Sequence, residues 1–194
     1  LIKIKDSVMK TAKLIGLLFL GFSFFTLQGC TSLPPLDFTV QDVGPMQNRK
    51  NAELKSITVG FAPQEQHQGE VEADSFVPPI WKEALIDALN RSLAFRDDSA
   101  QKVNLSVRIV EADVPSMGAS MTVTTGAIYE IMDRSTGDLL FAETITTEGV
   151  VPFDYAFVGL VRVREAANRS VRNNIAEFIN RLEQADISKP IFTN

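Results

Sequence analysis

The chain has 194 residues, 45% of them apolar and 22% charged, with a formal net charge of −5. Its single cysteine rules out an internal disulfide, and its single histidine leaves no metal site assembled from several His and Cys ligands. The acidic balance argues against nucleic acid as a partner and against adhesion to anionic headgroups, because both favour clustered Lys and Arg.

The first 29 residues differ in composition from the rest. Lys3, Lys5, Lys10 and Lys13 form a basic region, and an apolar stretch from Leu14 to Leu27 follows, broken only by Gly16, Gly21, Ser23 and Thr26. That order fits an export signal. The stretch falls short of the roughly 20 residues a helix needs to cross a hydrocarbon core, so a permanent span is not expected. Next comes Leu27-Gln28-Gly29-Cys30, which resembles the lipobox of bacterial lipoproteins: an apolar residue, small ones, then an obligatory cysteine. The resemblance implies cleavage before Cys30, acylation of that residue, and a lasting anchor, since each buried CH₂ contributes about 0.8 kcal/mol. By the same resemblance, Thr31 in place of aspartate after the cysteine implies the inner leaflet of the outer membrane, with the protein facing the periplasm. Without the leader's four lysines and Asp6 the chain keeps 15 basic and 23 acidic residues, a formal charge of −8.

From Cys30 to about Lys55, Pro34-Pro35, Gly44-Pro45 and the polar run Gln47 to Lys50 predict a tether. Within it, Leu36, Phe38 and Val40 alternate as an edge strand would. Ser56 to Ala62 reads as a strand, with Ile57, Val59 and Phe61 on one face and Pro63 ending it. The acidic loop QEQHQGEVEA, residues 64–73, holds His67. A histidine among carboxylates suits metal binding or base catalysis; the competing reading is a solvated loop histidine.

Pro79 to Phe95 predicts a helix, because Trp81, Leu85, Ala88, Leu89 and Leu93 recur at steps of three and four, and Pro78-Pro79 suits its entry. Trp81 at that spacing reads as core rather than as a stacking platform. Lys102 to Val110 alternates Val103, Leu105, Val107 and Ile109 with polar residues, the pattern of a half-buried strand. Met121 to Met132 forms the next strand, with Gly126 at a bulge. The run Asp133 to Asp138 then makes a tight hairpin to Leu139–Ala142, with Gly137 at a left-handed position. VVPFDYAF, residues 150–157, is an apolar connection whose Phe153, Tyr155 and Phe157 either cover the end of the core or form a surface for lipid or a partner.

Val158 to Ala185 predicts the longest helix, with Leu160, Val163, Ala167, Val171, Ile175, Phe178 and Leu182 on one face. Arg162, Arg169 and Arg172 lie on the other side, as a seat for an anionic group or as a solvated face. Arg164 falls nearer the apolar side, as a buried pair or interface residue. Residues 187–194 read as a tail. The order of elements predicts an α+β domain over residues 56–186: a two-layer sandwich in which an antiparallel sheet of four to five strands carries both helices on one face.

LQGC, WKEALIDALNRSL, VNLSVRIVEADV and NRSVRNNIAEFINRL, in this order, resemble the Gram-negative outer-membrane lipoproteins of the YajG-like type and, more loosely, the auxiliary lipoproteins of ABC transport systems. The resemblance implies that fold and that location, and carries no functional residue other than Cys30. No enzyme is expected and no cofactor: the cysteine is committed, and no G-x-S-x-G, P-loop or dinucleotide fingerprint occurs. Glu111 with Asp113, or Glu143 with Glu148, are the acids a glycan hydrolase would need. The preferred expectation is a lipid-anchored binding or adaptor module that docks to an envelope protein or holds an envelope component; the alternative is a homo-oligomeric structural part of an envelope complex.

Overall fold

Alternating β-branched and polar residues build a four-stranded sheet. In the computed structural model, which describes residues 33–71, 74–114 and 120–192, the strands are Glu53–Phe61 (β1), Lys102–Asp113 (β2), Met121–Asp133 (β3) and Leu139–Val151 (β4), side by side in chain order. The helices are Val77–Arg91 (α1) and Gly159–Gln184 (α2). Cys30 and the residues before it, read above as an export signal, lie outside the described residues.

The α+β class is as expected, with one correction to the sheet. β2, β3 and β4 are antiparallel neighbours, but β1 runs parallel to β2. The reason is α1: a helix inserted between two strands carries the chain back to the starting end, which a hairpin does not do. On β2, Val103, Leu105, Val107 and Ile109 are buried while Asn104, Ser106 and Arg108 are half-buried. The buried row shares one core with Trp81, Leu85 and Leu89 of α1 and Val171, Ile175, Phe178 and Leu182 of α2. Tyr129 stacks on Phe178 at 4.2 Å between ring centroids, and Phe38 meets Trp81 edge-on at 6.3 Å.

The alternation of Leu36, Phe38 and Val40 marks burial, not an edge strand. Phe38, Val40, Met46 and Ala52 are buried in the core, yet residues 33–40 join no ladder. Pro34, Pro35 and Pro45 lack the amide protons that a ladder needs. The segment lies instead as a strap between the helices: the Asp37 amide donates to Asn168 Oδ1 at 3.0 Å, and Phe38 meets Trp81. At its far end Lys50 is buried and donates to the carbonyls of Glu183 (3.0 Å) and Ala185 (2.6 Å). It thus places a cation at the C-terminus of α2, where the helix dipole favours one.

α1 stops four residues short of the expected Phe95, because Leu93 turns left-handed at φ 50° and the Ala94 amide returns to the Leu89 carbonyl. β2 extends to Asp113 through a register shift between Ile109 and Glu111, directly across from Gly126; the missing Cβ there leaves room for Glu111. In the hairpin Gly137 has φ +79°, and the Asp133 carboxylate accepts from the Ser135 amide at 2.7 Å and the Thr136 amide at 3.2 Å. β4 continues nine residues past the expected Ala142. At Gly149 its backbone comes so near α2 that a Cβ would overlap the Ala166 carbonyl and the Ser170 amide nitrogen.

A buried polar seam follows from that close approach. The Ser170 hydroxyl pairs with Thr125 Oγ1 at 2.8 Å and donates to the Thr147 carbonyl at 2.9 Å. Asn174 accepts from the Tyr129 hydroxyl at 2.8 Å and donates to the carbonyls of Ile145 (2.8 Å) and Thr125 (3.2 Å). Burial drives the Tyr129 phenol far above its usual pKa. Trp81 Nε1 lies near enough to oppose part of that rise, although it makes no hydrogen bond of normal geometry.

Candidate functional site

The ends of β2 and β4, the start of β3 and the N-termini of α1 and α2 lie at one end of the sandwich, where the N-terminal strap also enters. Here the sheet stops at Val151 while α2 has yet to begin. The chain between them makes a short 3-10 turn, Phe153–Tyr155, that has no sheet beneath it. Phe153 (58% exposed), Tyr155 (49%) and Phe157 (93%) face solvent; covering the core end is not what these rings do. Leu160, expected on the buried stripe, is 55% exposed, because the first turn of α2 overhangs the sheet.

Arg162, expected on the outer face of the helix, is only 4% exposed. It folds back beneath the turn and donates to the carbonyls of Ala156 (2.6 Å) and Phe157 (3.2 Å), with its guanidinium carbon 4.8 Å from the Phe153 ring centroid. Arg169 donates to Glu165 and to the Val150 carbonyl, at 2.8 and 2.9 Å, and lies 5.3 Å from the Tyr155 ring. Each guanidinium therefore holds a ring by a cation–π contact while tying down backbone. Arg172 pairs with Asp37 at 3.2 Å and with Glu165 at 4.0 Å. Hydrogen bonds from Thr39, and after them Arg172, hold the Asp37 carboxyl below the usual range. The three arginines are thus engaged by the protein itself and form no open basic row for an anionic ligand.

Between the overhanging helix, α1 and the sheet lies an apolar cleft of about 430 Å³, lined by Leu36, Val77, Trp81, Val123, Leu160 and Val163, with Asp74 and Arg164 also on its wall. Trp81 is fully buried core. His67 is half-buried, with Nε2 3.0 Å from the Ala62 carbonyl. Of the acids considered, Glu143 is paired with Arg181 at 3.0 Å, and Glu111 packs against Gly69 and Gly126. Among the described residues no group of three His, Cys, Asp or Glu could hold a metal ion, and no helix is long and apolar enough to cross a membrane. Leu27, Gln28, Gly29 and Cys30 lie outside the described residues. Arg162, a candidate from the sequence, was expected to face outward because its helical phase is that of an outward residue; proximity to the loop before α2, not periodicity, decides its place.

No family model and no curated protein sequence matches the chain. Among solved structures it is similar to a Xanthomonas campestris protein of family DUF330, at 11% identity and a TM-score of 0.52, over 75% of this chain and 92% of that one. It is also similar to PelC from Paraburkholderia phytofirmans, crystallised as a dodecamer, at 16% identity and TM-score 0.46 over 73% and 93% of the two chains. A minor lipoprotein from Acinetobacter baumannii matches at 13% identity and TM-score 0.39 over 72% and 94%. At such identities the Xanthomonas likeness speaks for the fold alone.

Proposed function

We propose that this chain is a non-catalytic, lipid-anchored binding module of a Gram-negative envelope, akin to the YajG-like and transport-auxiliary lipoproteins. Cys30 carries its acyl groups at the inner leaflet of the outer membrane, and the aromatic end is its binding surface. The observation that supports this most is the built character of that end: three exposed rings on a turn whose carbonyls are held by a buried arginine. An exposed apolar patch fixed in this way marks an interaction site. A reacting centre would need an activated nucleophile or a pair of poised acids, whereas Arg162 and Arg169 at this end are bonded to the protein's own backbone.

Intact-mass measurement of the protein from its native host tests the anchorage: the expected species begins at an acylated Cys30, and a free thiol or an attached leader refutes it. Affinity purification from crosslinked envelopes tests the binding role. A stoichiometric partner or ligand is expected; recovery of none under several conditions counts against it.

A further inference from the structure

We infer that the aromatic end rests on the interface of the same bilayer that holds the Cys30 lipid, with Phe157 and Leu160 reaching the acyl region; this rests on the anchored reading proposed above. The first ground is where the chain comes in. The described residues begin at Leu33, and the Pro35 carbonyl accepts from Asn168 Nδ2 at 3.4 Å, while Leu36 shares the apolar cleft with Leu160 and Val163. Cys30 precedes Leu33 by three residues, a reach of at most about 11 Å. A lipid on Cys30 therefore holds this end of the domain near the membrane.

The second ground is the distribution of exposed apolar side chains at that end. Phe157 is 93% exposed, Phe76 at the entry of α1 69% and Leu160 55%. They come from separate segments: Leu160 and Val77, the neighbour of Phe76, line one cleft, and Phe157 precedes Leu160 by three residues. Protruding tips from separate segments suit a fluid surface, which needs no shape match, better than a protein face, which needs about 800 Å² of complementary area. Tyr155 has the amphipathic ring that favours the headgroup level.

Charge selects the kind of lipid. Asp74, Asp113 and Asp154 are exposed at this end, Arg162 and Arg169 are engaged within the turn, and Arg164 on the cleft wall is outnumbered by the acids. Coulombic attraction to anionic headgroups is thus not the driving force. Contact is apolar, works on zwitterionic lipid, and is insensitive to salt.

The test is Phe157→Trp in the full chain, reconstituted into phosphatidylcholine vesicles with brominated acyl chains. The parent chain, whose only tryptophan is the buried Trp81, gives the baseline. Expected are co-flotation with the vesicles, a blue shift of the added tryptophan, loss of most of its emission to bromine, and no change in high salt. Leu160→Trp gives the same readout should the first variant fold poorly. A chain that floats while its added tryptophan emits as in water and escapes quenching overturns the inference and leaves the anchor standing, with a protein partner as the occupant. A chain that does not float overturns both.

Discussion

Replacing Asn174 by alanine is the sharpest probe of the buried seam. Asn174 is fully buried, and its side chain makes three hydrogen bonds, one from the Tyr129 hydroxyl and two to strand carbonyls. Losing it leaves that hydroxyl without its acceptor, which costs about 1–3 kcal/mol, and removes two bonds worth roughly 1 kcal/mol each. The expected loss is about 3–5 kcal/mol, or on the order of 10 °C in Tm for a domain of this size. Urea titration gives the number, with an unchanged m-value confirming that stability alone has moved. The decisive measurement is the double-mutant cycle with Tyr129→Phe. If Asn174 is the phenol's partner, the double variant is less destabilised than the two singles together by about 1–2 kcal/mol. Additivity within ~0.5 kcal/mol would refute the reasoning and leave Trp81 as the group that holds the phenol.

Gly149→Ala forces a Cβ into the Ala166 carbonyl and the Ser170 amide, both backbone, so a loss of about 3 kcal/mol or more is expected. Gly60→Ala, which meets nothing within 4 Å, changes stability by under ~1 kcal/mol; equal urea midpoints for the two variants would contradict the close-approach argument. Lys50→Met strips two carbonyls at the end of α2 and is expected to lower stability by about 1–2 kcal/mol, read by thermal unfolding. The Asp133 carboxyl is held below its ordinary 3.8, by the Ser135 hydroxyl first and then the Ser135 amide. Between the folded and unfolded values the unfolded chain binds more protons, so its contribution is full above pH ~4 and fades as pH falls through the folded value. Asp133→Asn is expected to flatten that part of the acid limb when urea midpoints are followed down to pH ~3. Phe157→Ser leaves Tm within about 1 °C, since a side chain 93% exposed holds nothing in place.

Periodicity made most of the frame legible. Both helices, the β2 alternation and the β3–β4 hairpin with its left-handed Gly137 follow from local pattern. The parallel β1 was also within reach, because a strand, a helix and a strand in succession imply a crossover, but the run of hairpins downstream suggested one uniform direction. What stayed hidden depends on what lies beneath a residue. Leu160 and Arg162 have the helical phases of a buried and an exposed residue, and they exchange those roles because α2 begins beyond the last rung of the sheet. Similarly, prolines and a glycine made residues 33–52 look like a linker, although Phe38, Val40 and Met46 fill the space between the helices. The aromatic end was visible as a composition; that it is exposed, and stiffened from below, was not.

The seam between α2 and β4 also limits how the sheet can grow. Along this border strand the carbonyls of Ile145, Thr147, Glu148 and Val150 already accept from Asn174, Ser170, Asn173 and Arg169. A foreign strand arriving along this stretch would compete with α2 for those carbonyls. Among the described residues the β1 rim has no such helix bonds; there Lys55, paired with Glu53, is a charged residue of the kind that discourages strand pairing. A sheet whose border strand is bonded to its own helix along half its length offers less free backbone for edge-to-edge growth on that side than on the other.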